Sequence, residues 1–549
     1  MTEQDLYAPL IARTNLRYDP AEGRPRVVIP EMANIAHDAV SRHAASGHTA
    51  LIYEDARGTV QRYSFADLDT LSDRLAKGLA AIGVGRGEPV AVQTGQTPET
   101  AIAHLAVYKL GAVVLTLSQL YGPDTVAHVL NHSRARVLIT DRDSWARIEP
   151  RRGELAALEH TIVVDDPATS ETRLEDCLAA DAAGFRPVAT RADDPALLMY
   201  TSGSTGLPKG LLHAHRILHA YLPTVTMFYN LELDRPGQRF WTPADWAWVG
   251  GLLDLVLPAW FAGQTVVASQ HRFNAEWAFD FMARHRVTHS FMTPTALKRL
   301  AEIAEPRSRW KLALRVVCTG GESLPMDTLR WTKEDLGVVC NEFYGLTEFN
   351  HLIGNCQALY PVRPGSMGRA YPGHVVRVID EAGDEVPAGG VGEIAARADD
   401  PTLFLGYWGR PGVPESLRLG PWLRSGDSAK RDGDGYFWYQ GRRDDLIKSA
   451  GYRIGPAEVE DALVRHPKVA EAAVVGRPDP DRGAIVVAFV RLAKGVSPSD
   501  ALRRELQAFV KTNLAVYKYP RLVAFVDSFP LTSTGKIRRA EMRARAAKL

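Results

Sequence analysis

Cysteine is scarce in this chain: Cys177, Cys318, Cys340 and Cys356 stand alone among 549 residues, with no Cys-x-x-Cys spacing. That excludes a zinc ribbon or a disulfide framework, fits a reducing compartment, and makes buried apolar packing the expected state of each thiol. Long hydrophobic runs are also missing. The longest apolar stretch, Leu252 to Phe261, is interrupted by Asp254 and Pro258 and is too short to cross a bilayer, so no stable membrane insertion is expected. Neither sign of charge dominates: 65 Lys and Arg against 64 Asp and Glu leave a net charge of +1, which gathers neither nucleic acid nor an anionic membrane. Met1-Thr-Glu-Gln-Asp lacks the basic stretch and apolar core of a signal or transit peptide, which points to a cytoplasmic protein. No internal repeat or low-complexity tract is evident.

What is present is globular in balance, with 46% hydrophobic and 23% charged residues, and long enough for roughly three or four domain-sized units. Behind Ser64, a residue suited to cap a helix, Leu68, Leu71, Leu75, Leu79 and Ile82 recur at helical spacing. A strand (Pro89-Val-Ala-Val-Gln), a helical segment ending at Gly111 and a second strand (Ala112-Val-Val-Leu-Thr-Leu) follow. Similar apolar strands recur at 137–141, 161–166, 264–269 and 314–321, which predicts covered parallel sheets. Beyond about residue 375 short alternating strands and turn pairs such as Gly389-Gly and Asp432-Gly-Asp-Gly predict a β-rich subdomain. From Asp444 onward two helices and two strands predict a compact α+β domain. The fold class is α/β: a large N-terminal domain of two α/β sheet subdomains plus a β-rich subdomain, and a small α+β C-terminal domain. The boundary is placed between 1–442 and 443–549. The latter carries 20 Lys and Arg against 12 acids, and the former 45 against 52. A basic C-terminal lobe suits an anionic ligand.

The strongest motif is Tyr200-Thr-Ser-Gly-Ser-Thr-Gly-Leu-Pro-Lys-Gly210, directly after the apolar run 196–199. Gly203 and Gly206 let backbone N–H groups approach phosphate oxygens, Thr201, Ser202, Ser204 and Thr205 add hydroxyl donors, and Lys209 adds charge. It is not a Walker A loop, because Pro208 precedes Lys209 and Gly210 follows it. His213 and His215 form a His-x-His pair without a visible third ligand, so strand or loop packing is their expected role.

These residues resemble the signature of the adenylate-forming superfamily, which includes acyl-CoA synthetases, adenylation domains of peptide synthetases and firefly-type luciferases. Further segments resemble its other motifs in family order: Gly321-Glu-Ser-Leu, Phe343-Tyr-Gly-Leu-Thr-Glu348, Arg424-Ser-Gly-Asp427, Gly441 to Lys448, Gly451-Tyr-Arg-Ile and Pro530 to Ile537. The resemblance spans about residues 50 to 545. It implies an enzyme of fatty acid metabolism that uses ATP, Mg2+ and coenzyme A with a small carboxylic acid, and whose C-terminal domain is mobile. It also implies roles. Lys536 bridges the acyl carboxylate and α-phosphate, Glu348 is the Mg2+ ligand, and Thr347 contacts the α-phosphate. Tyr344 stacks on adenine while Gly321, Glu322 and Ser323 line its other face; Asp427 takes the ribose hydroxyls and Arg442 the same sugar or a phosphate. Asp444 matches the hinge, and Ala450, Gly451 and Arg453 border the pantetheine tunnel. Lysine acetylation is a family habit, so a lysine acetyltransferase and a deacetylase acting on Lys536 are implied partners. The oligomeric state, monomer or homodimer, stays open.

For the acid, Ala244 to Gly250 resembles the segment lining the acyl pocket, with Trp246, Trp248, Val249 and Gly250 near the acyl group. Gly320 and Gly345 are expected to open volume, since relatives specific for acetate carry a Trp at the latter position, and Trp246 or Trp248 to refill it. A short- to medium-chain or small aromatic acid is expected, with acetate disfavoured. Two alternatives stand beside the acyl-CoA synthetase. One is a stand-alone adenylation enzyme loading a separate carrier protein, for which Asp245 or Asp254 would hold a substrate ammonium. The other is an inactive nucleotide-binding protein, which would be expected to lose Lys536, Glu348, Asp427 or Arg442.

Overall fold

The computed structural model describes residues 2–165, 172–179, 181–201, 208–410, 412–445, 447–449, 452–480, 482–514, 518–531 and 537–549, without the side chains of Asp444, Lys448, Tyr452 and Arg453. The chain forms two compact units. The first comprises Met1–Pro364, Ala370–Val375 and Ala398–Ser416, the second Gly365–Arg369, Val376–Arg397 and Leu417–Leu549.

Two sheets build the first unit. One runs in the order Gly406–Tyr407, Lys209–Ala214, Pro195–Thr201, Val113–Thr116, Pro89–Gln93, Val137–Thr140, His160–Val163, Thr172–Arg173. Its six strands from Pro195–Thr201 to Thr172–Arg173 are parallel. The other contains Val316–Gly320 and Val339–Leu346 side by side and parallel, with His289–Phe291, Arg239–Trp241, Thr265–Ser269 and Thr49–Glu54 continuing the parallel run. Asn350–Gly354 returns antiparallel along Val339–Leu346. Central strands such as Val113–Thr116 and Val137–Thr140 are buried throughout, as continuous apolar runs covered on both faces must be.

Helices cover these sheets. Phe65–Ala81 starts on a capping box in which Ser64 and Asp67 exchange side-chain and backbone hydrogen bonds. Its inward face is Phe65, Leu68, Ser72, Leu75, Ala76 and Leu79, whereas Leu71 and Ile82 are only half-buried, so the apolar stripe read from spacing is shifted by packing. It packs on Pro98–Lys109, a helix buried on almost every side. Burial drives the His104 imidazole down to about 3, and it stays neutral. Lys109, 1% exposed, escapes the cost of a lone buried charge because its Nζ lies 2.7 Å from Asp69 Oδ1 and 2.6 Å from Asp73 Oδ1 on the neighbouring helix.

The second unit joins the β-rich segment to the C-terminal fold. Val376–Ile379, Val391–Arg397, Trp422–Arg431 and Tyr436–Arg442 form an antiparallel series, the last two joined at the Asp432-Gly-Asp-Gly turn. The hairpin Val469–Asp479 and Gly483–Leu492, with Leu522–Phe525, forms the C-terminal sheet. Alternation along it sends Val474, Val486 and Ala488 to a core with the helices Pro456–Val464 and Asp500–Asn513, and Val475, Val487 and Phe489 to one with Met542 and Ala546 of Arg539–Ala546. The α/β class, the paired sheets and the C-terminal α+β fold agree with the sequence reading. Three of the four thiols are buried and Cys177 is half-buried.

Lys109→Met leaves Asp69 and Asp73 as neighbouring anions without their cation. Each carboxylate keeps about a quarter of its surface wet, so the expected loss is roughly 2 kcal/mol, below that of a fully buried pair. Chemical denaturation measures it, and an unchanged midpoint would contradict the account.

Candidate active site

Strand Pro195–Thr201 delivers Thr201 at its carboxyl end, the end at which open α/β sheets present ligands. Thr201 and Lys209 are cross-strand partners in the antiparallel pair that flanks the phosphate-loop motif. The frame beneath is polar and satisfied: the Tyr200 hydroxyl meets His132 Nδ1 at 2.7 Å, and the Tyr121 hydroxyl donates to the Tyr200 carbonyl at 3.0 Å. Lys209 Nζ lies 5.5 Å from the centre of the Tyr407 ring, and the Tyr407 hydroxyl donates to Glu348 Oε1 at 3.0 Å. Burial, reinforced by the Glu348 charge, keeps that phenol protonated. Tyr407 thus connects Lys209 to the turn that carries Glu348. Its only trace in the sequence is the aromatic run Phe404 to Trp408.

The second sheet supplies the next group. Parallel pairing sets Gly320 opposite Phe343, so the turn Gly321-Glu322-Ser323 leaves one strand beside Tyr344 on the next. Gly321 has φ +87°, a backbone region that favours glycine. The Glu322 carboxylate accepts from the Thr295 hydroxyl at 2.7 Å, which braces the turn. Tyr344 is half-buried, as are Thr347 and Glu348 in the turn before Asn350–Gly354. The turn closes on Asn350, at φ +60°, which is held by the Tyr221 hydroxyl at 2.6 Å and by donation to the Thr402 carbonyl at 2.9 Å. Among the described residues no cluster of three or more His, Cys, Asp or Glu is arranged to hold a metal. A single carboxylate such as Glu348 nonetheless suits Mg2+, which keeps much of its water and shares phosphate oxygens of its substrate.

The segment around Trp246 is pinned from several sides. Gln96 Nε2 donates to the Thr242 and Ala244 carbonyls at 3.0 and 2.7 Å, and Asp245 accepts from the Ser118 hydroxyl at 2.7 Å and the Ala247 amide at 2.9 Å. Trp246 is buried against Trp260, and Trp248 meets Tyr121 edge-on. The glycines do not leave the open volume that their lack of side chains suggests. A Cβ on Gly250 would lie 2.5 Å from the Phe291 ring, one on Gly320 2.8 Å from the Phe343 ring, and one on Gly345 1.9 Å from the Asn350 carbonyl oxygen. Two phenylalanines and a backbone turn, rather than the tryptophans, occupy those directions. Gly345 serves the turn that carries Thr347 and Glu348. Asp254, buried, is paired with His351 at 2.8 Å. Asp245 and Asp254 are both committed to partners of this chain.

In the second unit Asp427 and Arg442 face each other across paired strands, with Arg442 Nε 3.5 Å from the buried Asp427 Oδ1. Ahead of Asp427 the same strand, Trp422–Arg431, is braced by Glu393, a residue not singled out from the sequence. It accepts from Arg424 Nε and Nη2 at 2.9 and 2.7 Å and from the Gly426 amide at 2.9 Å. Asp445, beside the expected hinge residue Asp444, pairs with Arg543. Ser202, Gly203, Ser204, Thr205, Gly206, Ala450, Gly451 and Lys536 lie outside the described residues, as do the side chains of Asp444 and Arg453.

Two features stand apart from these groups. His213 and His215 are buried and held neutral, down to about 3 and about 4, mainly by burial; His215 Nδ1 accepts from the Ile35 amide at 3.1 Å. A groove of about 770 Å3 is lined by Pro89, His132, Arg134, Val137 and Trp408. It touches the amino ends of strands Pro89–Gln93 and Val137–Thr140, opposite the ends that carry ligands in such sheets.

The family model for AMP-binding enzymes matches residues 38–408, and that for the AMP-binding enzyme C-terminal domain matches residues 458–536. Acetyl-coenzyme A synthetase of Bacillus subtilis (strain 168) is 35% identical over 526 residues, covering 93% of this chain and 90% of that protein. Benzoate–CoA ligase of Thauera aromatica is 32% identical over 529 residues, covering 96% and 98%. The crystal structure of the anthranilate CoA ligase AuaEII in complex with anthranoyl-AMP matches with a TM-score of 0.85 at 30% identity, covering 95% of this chain and 98% of that one. The chain belongs to the AMP-binding enzyme family, as an AMP-forming acyl-CoA synthetase of the adenylate-forming superfamily. It activates a carboxylic acid as acyl-AMP and transfers the acyl group to CoA; loading of a carrier protein and inactive nucleotide binding are not favoured.

Gly345→Ala forces its Cβ onto the Asn350 carbonyl. Because both groups are backbone-fixed, a loss of roughly 1–3 kcal/mol in stability is expected, as for an overpacked core, together with loss of acyl-adenylate formation. Calorimetry and pyrophosphate release read the two effects, and a fully active, stable variant would show that the turn relaxes freely.

Proposed function

We propose that the acid is larger than acetate: a short- to medium-chain fatty acid or a small aromatic acid. The observation that carries this reading is the apolar wall at Gly250 and Gly320, where Phe291 and Phe343 stand over glycines. The two acids nearby, Asp245 and Asp254, are each already bound within the chain, so neither is set aside for a substrate ammonium. Apolar surface at about 0.8 kcal/mol per buried CH2 rewards a larger acyl group, and acetate forfeits most of that contact. Relatives described as acting on benzoate and on anthranilate lend weight to the aromatic option.

In the first step a carboxylate oxygen attacks the α-phosphorus, the α–β phosphoanhydride bond breaks and pyrophosphate leaves. Two anions must meet, so fixed cations and aligned donors lower the barrier most. Thr201 to Gly206 and Lys209 hold the phosphates, Thr347 donates to the α-phosphate, and Lys536 bridges phosphate and carboxylate. Mg2+, held by Glu348, offsets phosphate charge when bound. Tyr407 fixes the Glu348 carboxylate by its hydrogen bond. Tyr344 and the Gly321–Ser323 turn sandwich adenine, and Asp427 and Arg442 take the ribose. In the second step the CoA thiol attacks the acyl carbonyl carbon and AMP leaves. The part of the chain from 443 onward turns about Asp444 between the steps, withdrawing Lys536 and bringing Ala450, Gly451 and Arg453 to the pantetheine arm. Acetylation of Lys536 by a lysine acetyltransferase, reversed by a deacetylase, would remove its charge and silence the first step. A cytoplasmic location is supported by four thiols that are all free. No helix among the described residues is long and apolar enough to cross a membrane.

AMP release from MgATP, measured over acids from acetate to decanoate plus benzoate, is expected to require both acid and CoA. The kcat/KM for acetate should fall at least about tenfold below the best acid. Acetate as the preferred acid would refute the pocket reading while leaving the reaction class intact. Lys536→Ala should slow acyl-adenylate formation by about 100-fold or more, the cost of removing one transition-state contact. Thioester formation from preformed acyl-AMP should be nearly unaffected. Equal losses in both steps would contradict the alternation.

A further inference from the structure

The apolar wall is backed by a buried polar pair that the reaction chemistry leaves unused. Asp254 lies in the π-helical turn Leu252–Val256, a distortion that frequently marks functional positions. Its Oδ1 stands 2.8 Å from Nε2 of His351 on the strand Asn350–Gly354, and the two side chains are 3% and 1% exposed. On the far side of the ring, His351 Nδ1 lies 3.0 Å from the Thr224 hydroxyl. That hydroxyl also lies 2.9 Å from the Tyr221 carbonyl. Two bare acceptors cannot face each other at 2.8 Å, so a proton lies between Nε2 and Asp254.

The ring so fixed is a packing surface. His351 meets Phe343 at 4.6 Å between ring centres, tilted by 64°, and Phe228 stacks on Phe343 at 4.9 Å. Phe343 is the ring that stands over Gly320. An apolar side chain at 351 would fill the same space but could rotate, whereas two directional hydrogen bonds leave the imidazole one orientation.

We propose that Asp254 and His351 form a positioning pair for acid specificity, holding the Phe343 ring over Gly320 and thereby setting how deep the acyl pocket runs. This inference rests on the acyl-pocket reading given above. Buried pairs of this kind add little stability over well-packed apolar residues, so their contribution here is geometric. The residues are not catalytic: neither is assigned a contact with substrate, and their effect passes through Phe343.

The test compares the full-length enzyme with His351→Leu and with the double variant Asp254→Leu/His351→Leu. AMP release is measured with butyrate, octanoate and benzoate in the presence of CoA, beside the KM for ATP and the thermal midpoint. The single variant leaves Asp254 buried without a partner and should lose stability. The double variant removes both partners and should recover a midpoint near wild type, with the KM for ATP little changed. The ratio of kcat/KM for octanoate over butyrate should nevertheless rise by about tenfold or more in the double variant, the scale at which a pocket discriminates small apolar differences. A merely structural role predicts that the wild-type acid profile returns with stability, and that result would overturn the proposal, as would a loss equal for all acids. If the double variant does not fold, Thr224→Val keeps the pair but removes the hydrogen bond at Nδ1 and should shift the profile the same way to a smaller degree; an unchanged profile there overturns the proposal as well. Wild-type enzyme inactive on every acid would instead refute the proposed function.

Discussion

The pairing of strand Val316–Gly320 with Val339–Leu346 is the constraint on which most of the first unit's candidate site depends. Its register places Gly320 against Phe343, and from that single alignment follow the neighbouring positions of the Gly321 turn, Tyr344 and, one hairpin later, Thr347 and Glu348. A slip of one residue would turn every side chain on the strand to the opposite face, taking Tyr344 from its place and exposing Phe343. Lower down, Asn341 anchors the same strand by donating to the Phe228 carbonyl at 3.0 Å.

Buried charge is the second organising theme. Lys109 with Asp69 and Asp73, Glu54 with Arg284 and His285, and Asp254 with His351 all join elements far apart in the chain. Each satisfies a group that would otherwise pay heavily for leaving water, and each fixes the relative placement of two elements that apolar contact alone would leave free to slide. In the second unit Glu393 does this for the Arg424 to Gly426 stretch of the strand that carries Asp427.

The family was legible because its motifs place particular residue types in contiguous order. Glycines for close backbone approach, hydroxyls, a lysine, and a Thr-Glu pair after an aromatic residue all sit within short segments. Strands such as Val113–Thr116 and helices such as Phe65–Ala81 were legible for a related reason, since period and capping are local. Tyr407, Glu393 and the His351 pair were not, because each acts on a residue tens of positions away: Tyr407 on Glu348, Glu393 on Arg424, Asp254 on His351. The pocket glycines misled for the same reason. A missing side chain signals space only if nothing else enters it, and Phe291 and Phe343 enter it here.

The linear chain by itself determined the fold class, the reaction family and the chemical groups available, because these follow from local periodicity and from motifs whose residues are neighbours in sequence. Only the tertiary structure decided which rings stand over Gly250 and Gly320, the bracing of Glu348 by Tyr407 and the pairing of Asp254 with His351. Those depend on which side chains from distant strands and turns meet in a close-packed interior, where a single ring or one hydrogen-bond acceptor settles the outcome.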